Sequence, residues 1–62
     1  MNKLKKIREE KELTQEKMAR KLNIDLRRYQ NLEYGKNKKS ILLAEKVASL
    51  LNVKIEDIWP KN

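Results

Sequence analysis

Asn23-Ile24-Asp25 is all that separates two short stretches whose apolar residues recur at helical spacing. That connection constrains the fold more than any other feature of the chain. Met18, Ala19 and Leu22 share one face of the first stretch; Tyr29 and Leu32 share one face of the second. Helices joined so tightly cannot lie side by side and must cross steeply. Ala19 supplies the small residue needed where they meet, and Asn23 tolerates the left-handed backbone that a helix exit favours.

The rest of the chain follows the same helical period. Leu4 and Ile7 predict a first helix over residues 2–11. Thr14 is placed to cap the second helix, and Glu16 complements its positive end. Asp25 stands as the cap of a third helix, Leu26 to about Tyr34, which Gly35 stops. Lys36-Asn37-Lys38-Lys39 reads as a polar, cationic loop. Ser40 caps a fourth helix with Ala44, Val47, Ala48 and Leu51 facing inward, and Asn52 ends it. A short fifth helix is expected over about Ile55 to Trp59, before Pro60. No strand pattern appears, so the expectation is an all-α, compact five-helix domain. A chain of 62 residues buries only about 60% of the surface its unfolded form exposes. Residues 1–62 are therefore expected to form a single domain around one small core.

Composition removes most functional classes. The chain has no Cys and no His, so it offers no disulfide, no zinc site, and no thiolate or imidazole for catalysis. Thr14, Ser40, Ser49 and the two tyrosines have no imidazole to activate them. We expect no enzymatic activity, no metal, no cofactor and no small-molecule ligand. The longest apolar run, Ile41-Leu42-Leu43-Ala44, is far below the roughly 20 residues that span a bilayer. The basic start of the chain is followed by acids rather than by the apolar stretch of a signal peptide. A cytoplasmic protein without membrane contact is expected.

Charge is unevenly placed. Residues 1–39 hold 13 basic and 6 acidic side chains, 13 − 6 giving +7; residues 40–62 hold three of each and are neutral. A compact cationic region attracts phosphate and steers the encounter with nucleic acid. The outer face of the third helix displays Leu26, Arg27, Gln30 and Asn31, with Arg28 beside them. Arg and Asn or Gln are the side chains that bond guanine and adenine edges in pairs in the major groove. An RNA partner is disfavoured by the lack of a surface aromatic platform for stacking bases.

The segment LTQEKMARKLNIDLRRYQNLEYGK resembles the helix-turn-helix of the phage repressor and Cro family, also called the Xre family. The similarity runs from about Leu4 to Trp59. Leu13-Thr14-Gln15, Ala19, Leu22, the Leu32-Glu33-x-Gly35-Lys36 run and Ser40 all fall at family spacing. The resemblance implies a repressor-like fold with the third helix in the major groove. It places a phosphate contact on Gln15, base reading on Leu26, Arg27, Gln30 and Asn31, and further phosphate contacts on Lys36, Lys38 and Lys39. It also implies that Arg8 pairs with Glu33; if exposed, such a pair would contribute only about 0–1 kcal/mol.

Some positions depart from the family pattern. Asn23 replaces the usual glycine, a benign change. Asp25 replaces Ser or Thr and would be repelled by phosphates. Leu26 offers no hydrogen bond but suits a thymine methyl. Tyr29 is larger than the usual Ile or Val, so its surroundings must adjust. The proline frequent before Ser40 is absent, and Lys54 stands where a serine would cap the last helix. Tyr34 is expected to pack or to bond at the helix end rather than to stack on bases.

The function expected from this reading is sequence-specific, DNA-binding regulation of transcription, as a repressor. The alternative is an antitoxin-like or other protein-interaction module that touches DNA incidentally. The partner is double-stranded DNA with a two-fold operator, half-sites roughly 10 bp apart, bound by a homodimer. Leu42 or Leu43, Leu50, Ile58 and Trp59 supply the candidate subunit interface; Trp59 fits the core equally well.

Overall fold

Among the described residues of the computed structural model, 2–36 and 40–60, helices end in one recurring way. The helices are α1 (Leu4–Glu10), α2 (Gln15–Leu22), α3 (Leu26–Tyr34), α4 (Ile41–Leu51) and α5 (Ile55–Ile58), with no strand among them. After each of the first four the chain takes one left-handed step: Glu12 at φ 59°, Asn23 at 59°, Gly35 at 70° and Asn52 at 58°. The next amide then reaches back to a carbonyl in the last turn: Leu13 N donates to Arg8 O, Ile24 N to Ala19 O, Lys36 N to Asn31 O and Val53 N to Ala48 O. This is the Schellman arrangement, which satisfies carbonyls that a helix end would otherwise orphan.

Glycine occupies the left-handed position at one of these four exits. At the other three the following residue is apolar, and Leu13, Ile24 and Val53 all pack against the core. That burial offsets the roughly 1–2 kcal/mol cost of left-handed backbone in a residue with a Cβ. Gly35 is followed instead by exposed Lys36, so no such contact compensates and the residue without a Cβ is used.

The starts of the helices are less uniform. Thr14 Oγ1 accepts from Lys17 N at 3.0 Å and Ser40 Oγ from Leu43 N at 3.0 Å, so both expected caps form. Asp25 holds the capping position with extended backbone, but its side chain makes no cap hydrogen bond; the expected carboxylate cap is absent. At α5 the helix supplies its own acceptor: Asp57 Oδ2 accepts from Lys54 N at 2.9 Å. The first helix begins at Leu4, not at residue 2, because Asn2 is spent on a turn. Its Oδ1 accepts from Leu4 N at 2.9 Å while its Nδ2 donates to Leu32 O at 2.8 Å. One residue on, Lys3 N donates to Ile58 O at 2.9 Å.

The core gathers Leu4, Met18, Ala19, Leu22, Tyr29, Leu32, Leu43, Val47, Ala48, Leu51 and Ile58. The inward faces read from the periodicity of α2, α3 and α4 are thus the buried ones. Leu43 and Ile58 belong to this core and are not free to form a subunit interface, while Trp59 packs against it half-buried. The large apolar side chains that α4 leaves outside are Ile41, Leu42 and Leu50, at 77%, 63% and 36% exposure.

The two kinds of helix exit should respond oppositely to mutation. Glu12→Gly relieves a strained φ and should raise the unfolding free energy by about 0.5–1 kcal/mol, after the extra entropy of an unfolded glycine is subtracted. A Cβ added at Gly35 would meet nothing within 4 Å, so Gly35→Ala should lower stability by about 1 kcal/mol through backbone strain alone. Urea midpoints moving the same way for both variants would contradict this account.

Candidate nucleic-acid interface

Tyr29, Leu32 and Glu33 turn one face of α3 into the protein. The opposite face follows from helical spacing: Arg27, Asn31 and Tyr34 lie on it at successive steps of four and three residues. Arg27 and Arg28 are exposed, and Leu26, Gln30 and Asn31 are half-buried. Gln15, half-buried, opens α2, and exposed Lys36 follows the end of α3. Lys38 and Lys39 lie outside the described residues. Tyr34 is 56% exposed; it joins Arg27 and Asn31 as part of the outer surface and lines a groove with Lys5, Lys6 and Glu9 of α1. Its place could have been read from its spacing to Arg27 and Asn31 alone.

Behind this surface lies a chain of polar side chains. Arg8 Nε donates to Glu33 Oε2 at 2.6 Å, and Arg8 Nη1 to Leu13 O at 2.7 Å. Tyr29 Oη donates to the same Glu33 Oε2 at 2.6 Å. Gln15 Nε2 donates to Glu33 Oε1 at 3.0 Å, and Gln30 Nε2 donates to Gln15 Oε1 at 3.0 Å. The side chains of Arg8 and Glu33 are only 9% and 1% exposed. The pair is therefore buried, and the weak contribution of an exposed pair does not apply. Removing one partner of a buried ion pair strands the other charge, at a cost of about 3–5 kcal/mol.

The size of Tyr29 is explained by its hydroxyl: the ring fills the core and its oxygen reaches Glu33. Burial pushes the Glu33 carboxyl upward, but the hydrogen bonds from Arg8, Tyr29 and Gln15 outweigh it and hold the group below its ordinary value of 4.5. Burial, and then the bond to Glu33, drive the Tyr29 hydroxyl well above its usual range. The bond to Glu33 likewise raises Arg8. Among the described residues no buried side-chain nitrogen or oxygen lacks a partner.

Helices α2 and α3 pack together across their short connection, α3 turns Arg27 and Asn31 outward, and Arg8 of α1 braces it from inside. A helix-turn-helix family model matches residues 4–58. The chain belongs to the helix-turn-helix family. This helix-turn-helix protein is 45% identical over 58 residues to an uncharacterized HTH-type transcriptional regulator of Methanocaldococcus jannaschii, with 94% of this chain and 88% of that protein covered. It is 36% identical over 59 residues to the control protein C.MunI of a Mycoplasma species, covering 94% of this chain and 80% of that protein. Among the described residues no helix is long and apolar enough to cross a membrane.

The brace makes a pH-dependent prediction. The carboxyl of Glu33 is depressed in the folded state, so its contribution is fully present above about pH 4.5 and is lost as pH falls through the lower folded value. Tyr29→Phe removes one donor to that carboxylate and should cost about 1.5–3 kcal/mol near neutral pH. The gap between wild type and Tyr29→Phe should then narrow on acidification, since a bond to the neutral acid is weaker. Urea unfolding at pH 7 and at steps below pH 4.5 measures both; a gap that stays constant even once the Glu33 carboxyl has taken up its proton would show that the hydroxyl is not supporting a charge.

Proposed function

We infer that this DNA-binding regulator of transcription reads its sites by laying the outer face of α3 in the major groove, and that it acts as a repressor. The observation that carries the reading is the coincidence of two features. The face of α3 turned away from the core presents Arg27 and Asn31, and all of the chain's excess charge lies in residues 1–39. A guanidinium matches the paired acceptors of guanine, and an amide matches adenine. Arg27, Gln30 and Asn31 are the base readers, and Leu26 lies where a thymine methyl would meet an apolar side chain. Arg28, Lys36, Lys38 and Lys39 meet the backbone, where a flexible cation suits a phosphate.

Gln15 fits a phosphate contact through its bonding pattern. One amide hydrogen is held by Glu33 and the oxygen is held by Gln30. The second hydrogen is the group left to offer, and an anion requires a donor.

One helix-turn-helix reads few base pairs, so the regulator binds as a homodimer on a two-fold site, half-sites about one helical turn apart. The neutral part of the chain carries the exposed Ile41, Leu42 and Leu50 on α4, which replace the buried Leu43 and Ile58 as the candidate contact beside half-buried Trp59. In this reading residues 1–62 act as one DNA-binding domain in the cytoplasm, by binding rather than by catalysis.

Selection of duplexes from a random pool should return a two-fold repeat bound by two protomers. Sites without a repeat, bound one protomer per duplex, would overturn the dimer. On the selected site Arg27→Ala and Asn31→Ala should each lose about 1–3 kcal/mol, with relaxed preference at one base pair and little change on random DNA. Lys36→Ala should weaken both duplexes alike and reduce the magnitude of the slope of log affinity against log salt by about one. Equal weakening of both duplexes by Asn31→Ala would place that side chain on the backbone.

A further inference from the structure

The polar chain behind α3 has a direction, and the direction is set at its buried end. An ionised carboxylate only accepts hydrogen bonds. Glu33, ionised and 1% exposed on its side chain, therefore obliges Gln15 to face it with the amide nitrogen, as the 3.0 Å contact from Nε2 to Oε1 shows. The Gln15 carbonyl is thereby turned toward α3, where it requires a donor. Gln30 supplies one through its own Nε2, again at 3.0 Å. Each amide is oriented by the one before it, and neither is free to rotate its oxygen and nitrogen without losing a bond.

The consequence falls on Gln30. Its Oε1 bonds no described residue, and since no buried side-chain oxygen there lacks a partner it reaches solvent. The two hydrogens of an amide nitrogen point apart, so one can stay on Gln15 while the other lies beside the carbonyl. Gln30 thus presents one acceptor next to one donor, in fixed order. Adenine offers the matching N6 donor and N7 acceptor at its major-groove edge. Guanine offers two acceptors there, and cytosine offers only a donor.

We propose that Glu33 is a specificity-positioning residue. By orienting Gln15 it fixes the amide of Gln30 carbonyl-outward, which selects adenine over guanine at the base pair that Gln30 meets. This rests on the reading of α3 as the groove-binding helix. It adds that a residue inside the protein, without touching DNA, decides which base one of the readers accepts.

The test compares the selected site with versions carrying each other base at each position, under one salt condition. Gln30→Ala identifies the base pair by abolishing preference there. Wild type should favour adenine over guanine at that pair by about 5- to 150-fold, the range of one good two-bond contact. Glu33→Gln can show either amide atom to Gln15, so the ratio should fall to within about threefold, the bulk of one contact's discrimination being lost, while ratios at other base pairs hold. Because Glu33→Gln leaves Arg8 without a counter-charge, its folding is checked by thermal melting, and Gln15→Leu is run beside it.

Gln15→Leu keeps the bonds of Arg8 and Tyr29 to Glu33 but frees Gln30 to rotate. It should weaken all duplexes through the lost phosphate contact and collapse the adenine-to-guanine ratio at the one pair only. A wild-type preference for guanine there, or an unchanged ratio in Gln15→Leu, overturns the positioning role and leaves the groove assignment standing. Gln30→Ala without effect on any base pair overturns the assignment of Gln30 as a reader, and the inference with it.

Discussion

A carboxylate buried in so small a protein is expensive, because taking an isolated charge out of water costs several kcal/mol even after the surroundings relax. Glu33 is tolerated because three donors from three places converge on its two oxygens: Arg8 from α1, Gln15 from the start of α2, and Tyr29 one turn back on α3. An apolar side chain there could touch all three helices but could not fix the direction of any of these bonds. The same convergence decides the pose of α3, whose inward face is clamped at Tyr29 and Glu33 while its outward face is left for contact. The packing of α3 on α2 is thus held by these bonds as well as by the short turn.

Much of this fold was legible in the sequence because each signal was local. Thr14 and Ser40 precede apolar periodicity and cap as their chemistry dictates. Asn23, Gly35 and Asn52 mark left-handed exits, since a glycine or a short amide side chain is what that conformation admits. Glu12 gave no such signal, and its left-handed backbone follows instead from the burial of Leu13 just after it. The core positions of Ile58 and Leu43 were equally hidden: both are apolar residues near the edge of a helical face, and only packing decides which edge is covered.

The candidate site was legible in part. Spacing alone placed Arg27 and Asn31 outward, and Tyr34 follows from the same arithmetic. What spacing could not reveal is that Gln15 and Gln30, fifteen residues apart in sequence, touch each other and share a link to a buried acid. A half-buried amide looks the same in a sequence whether it is solvated or bonded. The size of Tyr29 was the one visible clue, since a phenol placed where an aliphatic side chain would suffice needs an acceptor for its hydroxyl.

The backbone bond from Lys3 N to Ile58 O bears on how the molecule comes apart. A helix as short as α5 has no stability of its own, so it persists only while Ile58 is buried beside the start of α1. Leu4, the first core residue, depends on the same contact from the other side. Local fraying at either end of the described chain would therefore strip the opposite end of its partner. Amides near the two ends should exchange with solvent mainly through opening of the whole structure, and the protein behaves less like a string of helices than like a closed loop fastened at one clasp.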